Sequence, residues 1–147
     1  YFLYQPSPCL FIKKERLFAV EFLNYNANPK GRKTTDCVIR ALCTALDEKW
    51  ENTYRDLVNY SIKQGLMCSD KRAFTFYLNS KGYKMQKMPK HIDNSRYTVQ
   101  QFADEIAKPK AIYILNLANH LTVIKDCVLL DTWNCSKKSV GNYWVIK

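Results

Sequence analysis

The chain has few of the features from which metal sites and RNA-binding motifs are built. It contains 2 histidines, 4 glycines and 6 cysteines in 147 residues, and no two cysteines have Cys-x-x-Cys spacing. Two histidines among scattered cysteines do not match zinc-site spacing. No helix-turn-helix, zinc-finger or Gly-rich RNA-binding pattern is present either. The sequence therefore predicts neither a metal nor a cofactor.

Long hydrophobic runs are also missing. No apolar run approaches the ~20 residues that a membrane-spanning helix needs, so no membrane partner is expected. Residues 1–20 place Lys13, Lys14, Glu15 and Arg16 between apolar clusters, which is not typical of a signal peptide. With no evident signal, the cysteines are expected to be mostly free thiols in a reducing cytoplasm.

The remaining composition is that of one basic globular domain. The hydrophobic fraction is 47%, the aromatic fraction is 14% and the net charge is +10. The favoured interpretation of this charge is a solvated basic surface. A second interpretation is that the run at 30–33 gives the neighbouring Cys37 a positive rim, which would lower its thiol pKa and attract an acidic substrate. Nucleic-acid binding stays open, since tyrosines accompany the lysines.

Cys37 lies at the predicted start of an amphipathic helix. Apolar residues recur at helical spacing at Val38, Ala41, Leu42, Ala45 and Leu46. Thr35 or Asp36 is expected to cap this helix by accepting backbone N–H bonds. The free N–H groups and the dipole of a first turn favour a thiolate and could stabilise an oxyanion. Cys37 is therefore a candidate nucleophile, and the alternative is a small buried apolar residue.

His120 and Asp131 are candidates for the base and for the residue that orients it. His120 begins an apolar strand-like run, and Asp131 ends the next one. An even-length hairpin loop places the two side chains on one face. With Lys125-Asp126 as the loop they are directly opposed, whereas with Asp126-Cys127 they are diagonal neighbours. The alternative is an unrelated surface aspartate, and His91 is expected in a polar loop.

The rest of the chain is predicted to be scaffold. Helices are expected over residues 50–64, 70–78 and 98–107, and short strands over 83–88 and 143–146. The order is a helical first half followed by an antiparallel sheet. The predicted fold class is α+β, with the Cys37 helix packed against the sheet that carries His120. Residues 1–25 are expected to form an N-terminal arm or strands, and residues 26–147 the domain.

A set of short motifs resembles a group of small phage- and plasmid-borne proteins with a papain-like fold. The motifs are Asn28-Pro29-Lys30-Gly31, Thr34 to Ala41, Trp50 to Tyr54, Asn119 to Asp126 and Leu130 to Ser136. The Asp36-Cys37 pair is also similar, more distantly, to the leader peptidases that mature bacteriocins. The resemblance implies that residues 26–147 form a papain-like catalytic domain, with Cys37 as nucleophile, His120 as general base and acid, and Asp131 as the orienting residue.

The chain departs from the papain pattern at the oxyanion donor. A glutamine usually lies about six residues before the nucleophile, and this chain has Gly31 there. The side-chain N–H of Asn28 or Asn26 is the candidate replacement, and the backbone N–H of Cys37 could be the second donor.

The expected function is a thiol hydrolase, a peptidase or amidase that works through a thioester. The expected substrate is a peptide or amide of acidic character, and the expected location is the cytoplasm, or the host cytoplasm if the gene is phage-borne. One alternative is an acyltransferase with the same triad, in which an amine replaces water. The other is a non-catalytic phage protein that binds a host factor or nucleic acid.

Overall fold

The computed structural model describes residues 20–147, and this part of the chain combines helices with one sheet. The helices are α1 (Cys37–Leu46), α2 (Trp50–Gln64), α3 (Lys71–Ser80) and α4 (Val99–Glu105). The strands are β1 (Phe22–Asn24), β2 (Ile112–Leu117), β3 (His120–Lys125), β4 (Val128–Asp131) and β5 (Tyr143–Val145). The predicted α+β class is confirmed. Within residues 20–147, no helix has the length and apolar content needed to cross a membrane.

The five strands form one mixed sheet in the order β1-β4-β3-β2-β5. The pairs β2–β3, β3–β4 and β2–β5 are antiparallel, as predicted, whereas β1 pairs parallel to β4. The prediction of a purely antiparallel sheet is therefore wrong at its β1 edge. The physical reason is connectivity, because β1 precedes the four helices of the described residues and is joined to the rest of the sheet by a long crossover rather than a hairpin.

Strand β1 comes from the segment that was predicted to be an N-terminal arm or strands. Its residues pair with β4 through Phe22–Leu129, Leu23–Leu130 and Asn24–Asp131. The predicted boundary at residue 26 thus falls directly after a strand of the main sheet. The prediction for residues 1–19 lies outside the described residues.

Local sequence signals account for most helix ends. Helix α2 has its predicted bounds, and Gly65 ends it in the left-handed conformation at φ 66°. Thr98 and Gln101 form both halves of the predicted capping box. Asp70 caps α3 by accepting the backbone N–H of Arg72. The predicted strand over 83–88 is reduced to one isolated bridge, in which Gln86 pairs with Tyr143.

Both faces of the sheet are covered, which explains the nearly continuous apolar sequence of β2. One face packs against helices α1 to α3, and its core includes Leu42, Leu57, Phe74, Ile114 and Trp144. The other face packs against α4, and its core includes Val99, Phe102, Leu115, Ile124 and Leu129. Strands β2 and β3 are held between these two cores. Packing on both faces therefore fixes the position of the sheet end at which β3 begins and β4 ends.

The start of α1 is fixed by Asp36, although not as a backbone cap. Its carboxylate accepts no helix N–H. It accepts the Nδ2–H of Asn28 at 2.7 Å and the indole N–H of Trp50 at 3.1 Å, and it pairs with the guanidinium of Arg40. The predicted capping role of Asp36 is therefore wrong, because three side-chain donors, one of them charged, already occupy the carboxylate. The effect is to tie α1 to the preceding loop and to α2.

Breaking the Asp36–Arg40 pair should destabilise the fold far more than breaking an exposed pair. The two side chains are only 11% and 8% exposed. Arg40→Met leaves a nearly buried carboxylate with neutral donors alone, and we expect a loss of about 3–5 kcal/mol in the free energy of unfolding. Urea denaturation followed by circular dichroism measures this loss.

Arg72→Met is the matched control, because Arg72 makes a well-exposed pair with Asp70. Its midpoint of urea unfolding should hardly move. Equal midpoints for the two variants would contradict the anchoring role of Asp36.

Candidate active site

The three residues predicted to form a catalytic triad meet at one end of the sheet. Cys37 is the first residue of α1, His120 is the first residue of β3, and Asp131 is the last residue of β4. Helix α1 packs against the sheet beside β3. Because each residue stands at the end of its element, the side chains of Cys37 and His120 line one cleft, and the side chain of Asp131 contacts His120.

The β3–β4 turn sets how His120 and Asp131 face each other. Lys125 pairs with Val128, so the loop is Asp126-Cys127, the second of the two registers considered from the sequence. Both loop residues have positive φ, 51° and 63°, as a two-residue type I′ hairpin requires. Extending this register makes Asp131 a diagonal neighbour of His120 on the same face. The even loop length is therefore confirmed.

His120 and Asp131 form a short, nearly buried hydrogen bond. The Nε2 atom of His120 lies 2.6 Å from Oδ2 of Asp131, and the two side chains are 11% and 5% exposed. The other carboxylate oxygen accepts the backbone N–H of Thr132 at 2.7 Å. The indole of Trp133 packs against the imidazole with ring centres 5.1 Å apart, which screens the pair from water. The carboxylate thus fixes the imidazole ring in one orientation.

The two partners hold each other in the charged form. Burial opposes the charge on His120, but the hydrogen bond from its ring to Asp131 and those with the thiols of Cys135 and Cys37 outweigh burial and raise the pKa of His120 to about 11. Burial likewise disfavours the Asp131 carboxylate, yet the hydrogen bond and charge of His120 hold its pKa below the ordinary value. The imidazole is consequently protonated at neutral pH.

Cys37 is activated by its surroundings. Burial alone would raise the pKa of its thiol, but hydrogen bonds from His120 and from the backbone N–H of Leu121 act against it. The positive charges of His120 and Arg40 add to this effect, and the net result is a pKa below the ordinary 9.0. Since Nε2 of His120 is engaged by Asp131, Nδ1 is the ring nitrogen that remains for Cys37. The arrangement favours a thiolate–imidazolium pair.

Cys135 is a member of the site that the sequence did not reveal. Its thiol is 1% exposed and donates to Oδ2 of Asp131 at 3.7 Å. Within residues 20–147, the ligand atoms of His120, Asp131 and Cys135 all lie within 4.8 Å of one another, close enough for the three to hold a metal ion. Position alone gave no signal, because Cys135 follows the last strand of the hairpin in an irregular loop.

The remaining cysteines mostly follow the expectation of free thiols. Within residues 20–147, Cys37, Cys43, Cys68 and Cys135 are free, whereas Cys127 is disulfide-bonded. Cys43 is a core residue, and burial raises its pKa to about 11. His91, the other histidine, stacks on the ring of a neighbouring tyrosine at 3.7 Å and has no part in the site.

A cleft of about 480 Å³ opens beside Cys37 and His120. Its walls come from the start of α1, the start of α3 and the β2–β3 hairpin. The lining residues are Cys37, Val38, Ser69, Lys71, Phe74, Asn116, Leu117, Asn119, His120 and Leu121. Residues 30–33, which the second interpretation of the net charge placed in a positive rim beside Cys37, are not among its lining residues. The volume is sufficient for an amino-acid side chain or a short acyl group.

Asn28, the predicted oxyanion donor, is placed behind α1 rather than in this cleft. It is 8% exposed. One N–H of its amide is given to Asp36, and its carbonyl oxygen accepts the backbone N–H of Lys30 at 2.9 Å. Asn28 is therefore part of the support of the helix start, and an oxyanion role for it stays a prediction.

Comparison with known proteins leaves the site to be interpreted from its own geometry. No protein-family model, curated protein or solved structure matches the chain. The likeness to papain-like phage proteins and to bacteriocin leader peptidases thus stays a prediction.

The pH dependence of Cys37 alkylation tests the thiolate–imidazolium pair. Since the pKa of Cys37 is lowered, its thiolate should persist as the pH falls below 9.0, and labelling by iodoacetamide should be fast at pH 7. His120→Ala removes the hydrogen bond and the charge but leaves the burial. Its labelling at pH 7 should be at least about tenfold slower, and its profile should move to or above the ordinary pKa. Peptide mass spectrometry reads the rate at Cys37 alone.

The His120–Asp131 pair should make the free energy of unfolding depend on pH. The contribution of His120, whose pKa is raised, is full below 6.5 and is lost as the pH rises toward 11. The contribution of Asp131, whose pKa is lowered, is full above 3.8 and is lost as the pH falls through that lowered value.

For the alkylation experiment, identical labelling profiles in wild type and His120→Ala would show that Cys37 and His120 form no thiolate–imidazolium pair.

Proposed function

We propose that the protein is a thiol hydrolase that cleaves a peptide or amide bond through a thioester on Cys37. The observation that carries this proposal is the buried His120–Asp131 hydrogen bond adjoining a cysteine at a helix start, with His120 and Cys37 lining one cleft. These are the parts of a Cys-His-Asp triad. The papain-like fold belongs to the same proposal, supported by the chain order Cys, His, Asp and by a nucleophile helix that packs on the sheet.

The acylation step follows from the charge states of the pair. The thiolate of Cys37 attacks the carbonyl carbon, and the carbonyl electrons move to oxygen. In this mechanism the free backbone N–H groups of the first turn of α1 stabilise the oxyanion. His120 then gives its proton to the leaving nitrogen, the C–N bond breaks and an amine departs. The acyl group remains on Cys37 as a thioester.

Hydrolysis of the thioester restores the site. The now neutral His120 takes a proton from water, and the resulting hydroxide attacks the thioester carbonyl. The second tetrahedral intermediate collapses, the C–S bond breaks, and a carboxylic acid leaves. The thiolate and the protonated His120 are regenerated. Asp131 stays ionised throughout and stabilises the imidazolium, because the hydrogen bond and charge of His120 and the backbone N–H of Thr132 outweigh the effect of its burial.

An acyltransferase would use the same first step and an amine in place of water. The location in the cytoplasm and the phage origin stay predictions as well. The disulfide of Cys127 is more usual outside a reducing compartment.

Substitutions in the triad should abolish or weaken turnover in a defined order. With a fluorogenic peptide that the wild type cleaves, we expect Cys37→Ala to have no activity. Asp131→Asn should lower kcat by about 10²–10⁴-fold, because the amide cannot hold the imidazolium. Cys68→Ser, a free and half-buried thiol outside the cleft, is the control and should retain wild-type kcat. Full activity of Cys37→Ala would overturn the proposal.

A chelator separates thiol catalysis from metal-assisted hydrolysis. Metal-assisted hydrolysis is worth testing because the side chains of His120, Asp131 and Cys135 are close enough to hold a metal ion. We expect EDTA to leave the rate unchanged and Zn²⁺ to inhibit, since a metal on these side chains would displace the hydrogen bond that orients the imidazole. Loss of activity in EDTA with recovery in Zn²⁺ would instead support metal-assisted hydrolysis.

A further inference from the structure

We propose that Lys71 forms an anion subsite in the cleft and that the preferred substrates carry a carboxylate beside the bond that is cleaved. This inference rests on the proposed function for its biological meaning, but the subsite itself can be tested without any substrate. The observations that carry it are the composition of the cleft, the state of Lys71 and the state of the acidic residue next to it.

Among the described residues, the cleft wall has a positive charge and no carboxylate. Apart from His120, Lys71 is the one charged residue of this described lining. Its other polar side chains are the amides of Asn116 and Asn119 and the hydroxyl of Ser69. Amide and hydroxyl groups can donate to a carboxylate, and an ammonium adds charge to those hydrogen bonds. The wall therefore offers donors and a cation to an anionic group.

The charge of Lys71 is positioned but not neutralised. Its Nζ donates to Oδ1 of Asn142 at 2.8 Å, and Nδ2 of Asn142 donates to the backbone carbonyl of Gln86 at 3.0 Å. Asn142 is thereby oriented with its oxygen toward the ammonium. Within residues 20–147, Lys71 makes no ion pair. Two of its three N–H donors remain for a ligand.

The acidic residue beside Lys71 is already satisfied. Asp70 accepts Nη2 of Arg72 at 2.8 Å and Nε at 3.1 Å, in a two-pronged pair, and also the backbone N–H of Arg72. The hydrogen bonds and charge of Arg72 hold the pKa of Asp70 below its ordinary value. Asp70 is thus committed to Arg72 and leaves Lys71 as the uncompensated charge at the start of α3.

The subsite replaces residues 30–33, to which the second interpretation of the net charge assigned the attraction of an acidic substrate. The run at 30–33 precedes Cys37 in sequence but does not line the cleft, whereas Lys71 lies 34 positions after Cys37 and does. An acidic substrate is therefore still expected, although through a different residue. A terminal carboxylate and an aspartate or glutamate side chain share the required chemistry, and peptides of each kind distinguish them.

Two alkylating agents that differ in charge test the subsite directly. Iodoacetate and iodoacetamide both form a carbon–sulfur bond with the Cys37 thiolate and release iodide, but only iodoacetate is an anion. The ratio of their second-order rate constants cancels changes in the reactivity of the thiolate. Lys71→Met should lower the iodoacetate-to-iodoacetamide ratio about five- to tenfold, because a cation in the wall of the cleft that Cys37 lines is lost.

Two further variants make the result specific. Lys71→Glu should lower the ratio further, since it replaces attraction by repulsion. Lys63→Met removes an equal charge from the end of α2, away from the cleft lining, and should keep the wild-type ratio. Raising the salt to about 1 M should shrink the difference between wild type and Lys71→Met, because the screening length falls to ~3 Å.

The outcomes for the subsite and for the triad are separate. An unchanged ratio in both Lys71→Met and Lys71→Glu would overturn the subsite, whatever the absolute rates. Slow iodoacetamide labelling without dependence on His120 would overturn the triad, whatever the ratio. With substrates, a matched peptide pair that differs by one glutamate or glutamine should show a kcat/KM preference for glutamate that Lys71→Met removes.

Discussion

The His120–Asp131 hydrogen bond is the interaction on which the candidate site depends. It links the first residue of one strand to the last residue of the next across a nearly dry end of the sheet. In that setting neither partner is stable in its charged form alone, because desolvation penalises an isolated ion. Together they keep a cation beside Cys37. The lowered pKa of the Cys37 thiol follows in part from that cation, so the candidate nucleophile depends on a carboxylate outside the described cleft lining.

Two positive charges act on the thiol at the start of α1. Arg40, which pairs with Asp36, and His120 both lower the pKa of Cys37. Helix α1 must therefore be held firmly, since a shift of one residue along its axis would move the sulfur by about 1.5 Å. The donors on the Asp36 carboxylate supply that constraint from the loop and from α2. The strength of this anchoring is thus part of the chemistry as well as of the fold.

The hydrophobic periodicity of the chain and its turn and capping residues made much of the fold predictable from the sequence. The bounds of α2, the capping box at Thr98 and the shared face of His120 and Asp131 all follow from local rules. The parallel pairing of β1 does not, because no local pattern encodes the partner of a strand across a long crossover. Cys135 and Lys71 could not be assigned for a related reason: each reaches the site from an irregular loop or a helix start, where side-chain direction has no simple period. The spacing of Asp36 and Arg40, four residues apart across a helix start, was a usable signal for an ion pair.

The parallel strand β1 has a consequence for the order in which the molecule assembles. Its Asn24 pairs with Asp131, and the backbone N–H of Tyr25 donates to the carbonyl of Asp131 at 2.9 Å, although about a hundred residues separate them. During synthesis β1 emerges before the four helices found within residues 20–147, and it cannot pair with β4 until β4 has left the ribosome. Contacts of such long sequence separation form late and slowly, because closing the long loop costs conformational entropy before the contacts contribute any stability. The pairing of the strand that carries Asp131 is then completed among the last steps of folding, so Cys37 is present in the chain long before the groups that lower its pKa.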